Sequence, residues 1–207
     1  MTTRRALLWW LVFAAAAGLI LAASFQLDAA VQSWMREHRA PGIRSVMRWV
    51  SYIGDWVGHA VAALIGAGIA YLRQNRRWLR ICVAMIVALA IAGVATRVVK
   101  VAAGRSRPSV EIDAGFNGPR FTAKYHAFPS GHMAASLAYF GIIGFANVRL
   151  FVALLPIPLV IGFARLYVGA HHFSDVIGGA LMGAAIAVLV AGWPRFQIAN
   201  HKPATAD

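Results

Sequence analysis

The chain has 207 residues, 60% of them hydrophobic and only 13% charged, with a mean hydropathy of +0.65, whereas soluble domains carry roughly 45–50% apolar and about 25% charged residues. This is the composition of an integral membrane protein, and it excludes a disordered chain, a disulfide-stapled secreted module and a coiled coil. Twenty Lys and Arg stand against seven Asp and Glu, formally +13; because these cations flank or interrupt apolar segments, anionic lipid rather than nucleic acid is the expected partner.

Uncharged windows at 6–27, 56–72, 81–96, 133–148, 150–164 and 176–194 predict six membrane helices, an all-α polytopic bundle forming one domain over 1–207. The first window follows Arg4 and Arg5 and runs into Ala22-Ala23-Ser24, features shared with a cleavable signal peptide. Its uncharged run exceeds the ~7–15 residues of such a segment, so an uncleaved anchor is expected. Only the first and last windows approach the roughly 20 apolar residues of a crossing. The other four must draw in flanking groups such as Arg97, His132 and Arg165, and charge within a membrane marks a functional site.

Raw counts of Lys and Arg do not place the N-terminus inside; that orientation rests on the dense basic turn at 73–80. Residues 25–48 mix Phe25, Leu27, Val31, Trp34 and Met35 with Asp28, Arg36, Glu37, Arg39 and Arg44, which suits a short amphipathic interfacial helix or, equally, a plain connection. Residues 104–131 form the longest loop, where Gly104, Pro108, Gly115, Gly118, Pro119 and Pro129 forbid a continuous helix. So long a basic loop in so small a membrane protein is a place to look for chemistry. From 195, and above all over 201–207, the chain reads as a tail.

Three clusters stand out. Lys100 and Arg107-Pro108 lie where the third helix leaves the membrane, with Gly104 and Pro108 breaking the helix so that both cationic heads can meet one anion; the plainer reading has them snorkel to headgroups. Phe128-Pro129-Ser130-Gly131-His132 is a turn running into the fourth helix, where backbone N–H groups and the Ser130 hydroxyl suit an oxyanion and His132 can hold a proton for a leaving group. Alternatively Ser130 is an ordinary N-cap. Arg165, His171 and Asp175 span the turn before the last helix, with His171 and Asp175 spaced i to i+4, a carboxylate beside an imidazole nucleophile or else an interfacial ion pair. All three clusters fall on one membrane face under the alternating topology. Their union is a phosphate site of three cations, two His, an Asp and a Ser, with no ligand cluster for a metal and no cofactor expected.

Lys100–Pro108, Pro129–His132 and Arg165–Asp175 resemble the three motifs of the type-2 phosphatidic acid phosphatase superfamily, metal-independent lipid phosphatases related by their site to vanadium haloperoxidases; the resemblance extends over about 54–190. It implies that His171 attacks phosphorus to form a phosphohistidine, that Asp175 orients it and that His132 protonates the leaving oxygen. Lys100, Arg107, Ser130, Gly131 and Arg165 would bind the phosphoryl oxygens, and water would then release phosphate. One departure is Ala164, where the family usually has Ser, which puts one phosphate hydrogen bond in question.

His172 lacks the i+4 carboxylate, since Val176 stands there, so His171 is preferred as nucleophile. Lys124, Tyr125 and His126 read as a solvated loop, Arg97 either steers anions or pairs with Asp55, and His59 reads as a packed helix residue. Gly54/Gly58 and Gly179/Gly183 are expected to let helices approach. Trp9, Trp10, Trp56, Trp78 and Trp193 suit interface anchors. By the resemblance the substrate is a membrane lipid phosphate: undecaprenyl diphosphate, slightly ahead, phosphatidylglycerol phosphate, phosphatidate or lipid A 1-phosphate. The expected setting is a bacterial inner membrane with the site facing the periplasm or exterior. A lipid-to-lipid phosphotransferase and a non-enzymatic lipid-phosphate binder or transporter are the rival readings.

Overall fold

The computed structural model describes residues 3–110, 115–196 and 198. Its elements are helices: α1 (Thr3–Glu37), α2 (Pro41–Ile53), α3 (Trp56–Leu72), α4 (Arg76–Ala103), α5 (Gly131–Ala146), α6 (Val148–Leu154), α7 (Pro156–Tyr167) and α8 (Phe173–Ala191), with one 3-10 turn at Ala123–Tyr125. Local chemistry sets several of the boundaries. The side chain of Asp55 accepts from Trp56 N at the start of α3, and that of Asn75 accepts from Trp78 N at the start of α4. Pro41 and Pro156 occupy first turns, where the missing N–H has no helical partner to lose.

Four segments are long and apolar enough to cross a bilayer: Leu7–Glu37, Arg76–Ala103, Val148–Tyr167 (α6 with α7) and Phe173–Ala191. The pair α2 and α3, bent by 49° at Gly54-Asp55, makes a fifth, while the apolar α5 is only 16 residues long. Length and composition therefore support four or five crossings against the six windows of the sequence.

The stretch 25–48 is corrected. It is neither one interfacial helix nor a plain loop: α1 continues unbroken through Ser24 and Asp28 to Glu37, the chain turns over His38–Ala40, and Pro41 opens α2. The length of α1 lets it pack along α8, while α2 packs against α7. Tyr167 ties the intervening turn down, accepting from Ala40 N and donating to His38 O, both at 2.8 Å. The tail is corrected in part, because Phe196 and Ile198 are buried against the core; residues 199–207 lie outside the described residues.

The core lies between α4, α5 and α8 and is built largely of alanine, with Ala84, Ala88, Ala134 and Ala138 wholly buried. Small side chains let these backbones approach closely. A Cβ on Gly179 would collide with the Ser130 carbonyl, and one on Gly183 with that of Ala134. Gly54 likewise admits Ile161 of α7 at the α2–α3 elbow. This close contact sets the start of α5 directly against the start of α8, where the second and third sequence clusters lie.

Candidate active site

Six segments bring a residue to one region: Asp28 within the C-terminal part of α1, Asp55 at the α2–α3 elbow, Lys100 in the last turn of α4, Gly131 opening α5, Arg165 in the last turn of α7 and Asp175 in the first turn of α8. A cavity of about 660 Å³ there is lined by Lys100, Arg107, Gly131, His132, Arg165 and His171, and continues into an apolar groove walled by Ile86, Leu89 and Val94 of α4. Two of the expected site residues stand behind this wall. Ser130 and Asp175 are both fully buried.

The α4 exit depends on Gly104, whose φ of +57° is left-handed and whose missing Cβ makes room for the Gly118 carbonyl. Beyond it the chain doubles back, so that Arg107 N bonds Lys124 O at 3.0 Å and Arg107 Nε donates to Ala123 O at 3.1 Å. Lys100 Nζ donates to His126 O at 2.9 Å. Burial pulls the Arg107 guanidinium below its ordinary value, with Asp175 opposing; a guanidinium nevertheless stays charged at neutral pH.

At the α5 entry, Ser130 N donates to Asp175 O at 2.8 Å, which locks the two helix starts together. Among the described residues the Ser130 hydroxyl has no hydrogen-bond partner and neither does Nε of Arg165. Buried polar atoms left without partners are rare; Arg165 lines the cationic cavity, and Ser130 lies directly behind its lining residue Gly131, so an oxyanion reaching the wall fits both. A Cβ on Gly131 would meet Lys100 Cε at 3.8 Å and Thr96 Oγ1 at 4.0 Å, ordinary contacts beside the lysine.

His171 is buried, and its Nδ1–H donates to the carbonyl of Ala127 at 2.8 Å. Asp175 Oδ2 stands 3.6 Å from the same nitrogen, a secondary contact. The i to i+4 pair thus meets, but the strongest fixing bond comes from backbone that no spacing rule reveals. With Nδ1 occupied by the proton, Nε2 keeps its lone pair. Burial, reinforced by Lys100, Arg165 and Arg107, holds the ring well below its ordinary 6.5, so it is neutral at pH 7. His172 is also pushed down, chiefly by burial, and its Nε2 donates to Ser106 O at 3.2 Å.

His132 Nε2 donates to Ser51 O at 3.0 Å and lies 3.6 Å from Asp55 Oδ1. Arg165 Nη1 donates to the Ser51 hydroxyl. Ser51 was not anticipated; it comes from α2 and ties both residues to that helix. Two readings of the loop are corrected. His126 is buried rather than solvated, donating from Nε2 to Arg120 O at 2.9 Å and accepting at Nδ1 from Arg97 at 3.1 Å. Arg97 therefore pairs with His126 and not with Asp55.

A second unanticipated group lies beneath the site. Arg105 donates from Nη1 to Asp175 Oδ1 and from Nη2 to Asp28 Oδ2, both at 2.7 Å, while Ser174 N and Oγ bond the two oxygens of Asp28 at 2.8 and 2.6 Å. The aromatic rings of Phe25 and Phe116 flank the guanidinium at 5.0 and 5.2 Å. The available signal was scarcity: with seven acids in the chain, an aspartate at position 28 within apolar text calls for a cationic partner.

Residues 81–199 match the family model described as the PAP2 superfamily. The chain is 32% identical over 171 residues to the decaprenylphosphoryl-5-phosphoribose phosphatase of Mycobacterium tuberculosis (strain CDC 1551 / Oshkosh), covering 78% of this chain and 85% of that one. Identity with the lipid A 1-phosphatase of Rhizobium johnstonii is 35% over 102 residues, 48% of this chain and 42% of the relative. Among solved structures, the transmembrane PAP2-type phosphatidylglycerolphosphate phosphatase of Bacillus subtilis superposes with a TM-score of 0.66 at 23% identity, covering 88% of this chain and 92% of that one. Aquifex aeolicus LpxE superposes with a TM-score of 0.63 at 19% identity, covering 81% and 96%.

Proposed function

Because this chain belongs to the PAP2 superfamily, we propose that it is a membrane lipid phosphatase that removes a terminal phosphate through a phosphohistidine on His171. The observation that carries the reading is the imidazole itself: neutral, its Nδ1 proton held by Ala127 O, its Nε2 lone pair free, on a cavity shared with Lys100, Arg107 and Arg165. Attack by Nε2 forms a P–N bond as the P–O bond to the lipid breaks. The three cations, the Ser130 hydroxyl and the first N–H groups of α5 stabilise the charge on the phosphoryl oxygens, the type of contribution that dominates phosphoryl transfer. Asp175 steadies the positive charge that develops on His171.

His132 donates a proton to the leaving oxygen from Nδ1 of its imidazolium while Nε2–H stays on Ser51 O. Water then attacks phosphorus, its proton returns to His132, and phosphate leaves with His171 restored. Ala164, the departure from the family pattern, is itself fully buried. Ser51 meanwhile supplies a hydroxyl to Arg165.

The topology proposed is six crossings, α1, the α2–α3 pair, α4, α5, the α6–α7 pair and α8, because each of these segments contributes a residue to the site region and the ends of α4, α5, α7 and α8 that meet there alternate in direction. The site would face the outside of a bacterial inner membrane. The substrate is drawn from lipids ending in a phosphate, since the similar proteins are named for such lipids.

Phosphate release by the detergent-solubilised full chain in EDTA, across phosphatidylglycerol phosphate, phosphatidate, undecaprenyl diphosphate and lipid A 1-phosphate, tests the reading. Release that disappears in His171→Ala is expected. Release indifferent to His171, or none from any lipid, overturns it, and labelled phosphate recovered on a second lipid would make the enzyme a transferase.

A further inference from the structure

Beside the reaction cavity lies a second compartment of about 730 Å³, bounded by Ser45, Arg48, Trp49 and Tyr52 of α2 and by Asp55. It shares Asp55, His132 and Arg165 with the reaction cavity but not His171. That asymmetry gives it a direction. If Nε2 of His171 attacks in line, the leaving oxygen lies on the opposite side of phosphorus, the side of His132, and the compartment begins there.

Its volume is that of a small-molecule site, and its chemistry is mixed. Arg48 is exposed and makes no hydrogen bond or ion pair among the described residues. The rings of Trp49 and Tyr52 meet edge to face, 6.1 Å apart at 88°. Asp55 uses Oδ1 to cap α3 at 2.8 Å, which leaves its second oxygen as an acceptor. A guanidinium suits a phosphodiester, a carboxylate and serine hydroxyls suit the O–H groups of a polyol, and aromatic faces suit the C–H faces of a sugar or glycerol unit.

We infer that the α2 compartment is the subsite for the leaving alcohol, and that it selects lipids in which a polyol or sugar bearing a phosphodiester stands between the reacting phosphate and the lipid tail. The inference rests on the phosphatase reading above and narrows it: phosphatidate has no such unit, and in undecaprenyl diphosphate the two phosphorus atoms are adjacent.

The test is the ratio of kcat/KM for dioleoyl phosphatidylglycerol phosphate to that for dioleoyl phosphatidate, measured with the full chain in mixed micelles. Both lipids are assayed on one preparation, so any loss of folded protein cancels. Wild type should favour the glycerol phosphate, and Arg48→Gln and Trp49→Leu should each lower the ratio roughly tenfold, the worth of one charge-assisted or stacking contact. A ratio unmoved in both variants overturns the subsite and makes Trp49 and Tyr52 interfacial anchors, while the phosphatase reading stands. No phosphate release from either lipid by the wild type overturns that reading and the subsite with it.

Discussion

Arg105 and Asp175 form an ion pair at 2.7 Å in which both side chains are almost wholly removed from solvent. Arg105 is held from its other side by Asp28 of α1, so the first helix is tied to the start of the last through one guanidinium. The pairing engages Oδ1 of Asp175; Oδ2 accepts from His172 N at 2.7 Å and faces His171. Breaking such a buried pair leaves an uncompensated charge and costs about 3–5 kcal/mol. Arg105→Gln should therefore lower the Tm in detergent sharply, and Asp28→Asn less so because Asp175 keeps its partner. Arg105→Lys, which keeps the charge but loses the fork, should retain most of the folded protein while lowering kcat. An unchanged Tm in Arg105→Gln would show that the network is dispensable.

The two adjacent histidines should separate cleanly. His171→Ala removes the proposed nucleophile, and phosphate release should fall by at least roughly 10³-fold. His172→Ala removes a ring that bonds Ser106 O outside the reaction cavity, so turnover should fall far less. Acid-labile phosphate trapped on protein at short times should be present in the second variant and absent from the first. The reverse pattern would reassign the nucleophile.

Acid sensitivity follows from the same residues. His171 and His172 titrate below their ordinary 6.5 in the folded protein. Below that pH the unfolded chain therefore binds more protons than the folded one, and stability must fall as the pH drops. The stabilisation is complete above about 6.5 and is lost progressively toward lower pH. Tm in detergent at pH 8 and 6.5 should differ little from this source, whereas pH 5 should be clearly lower, and His171→Ala should flatten that decline. The nucleophile should add no inflection near 6.5 to the kcat/KM profile.

Packing at the α5–α8 contact is similarly exposed to test. A Cβ at Gly183 would run into backbone of Ala134 and Ala138, atoms that cannot move without displacing α5. Gly183→Val should destabilise by at least about 1–3 kcal/mol through overpacking, and it should depress activity too, because the same contact holds Ser130 and Asp175 together. Gly18→Ala, which would meet nothing within 4 Å, is the control and should leave Tm unchanged or slightly higher. Equal Tm values for the two variants would refute the close contact.

Much of the candidate site was legible in the chain because its parts are local. Lys100 and Arg107 are separated by a helix end that Gly104 makes obligatory; Ser130, Gly131 and His132 are contiguous; and His171 and Asp175 are four apart across a helix start. Each of these depends on short-range geometry, a turn, an N-terminus or a glycine φ, which neighbouring residues determine. Composition also determined the all-helical membrane class, since an apolar chain in lipid must satisfy its own backbone hydrogen bonds.

The partners that hold these parts are distant in sequence and left no spacing to read. Asp28 meets Arg105 across 77 positions, Ser51 meets Arg165 across 114, and Ala127 meets His171 across 44. The helix bounds of 25–48 were hidden for a related reason: Asp28 reads as an interfacial charge until its cation is known, and only then can α1 run through it. What the tertiary structure alone decided was which buried polar group satisfies which. Burial makes every such group require a partner, but it is the packing of α1, α2, α4 and α8, through glycine and alanine contacts, that chooses the partner.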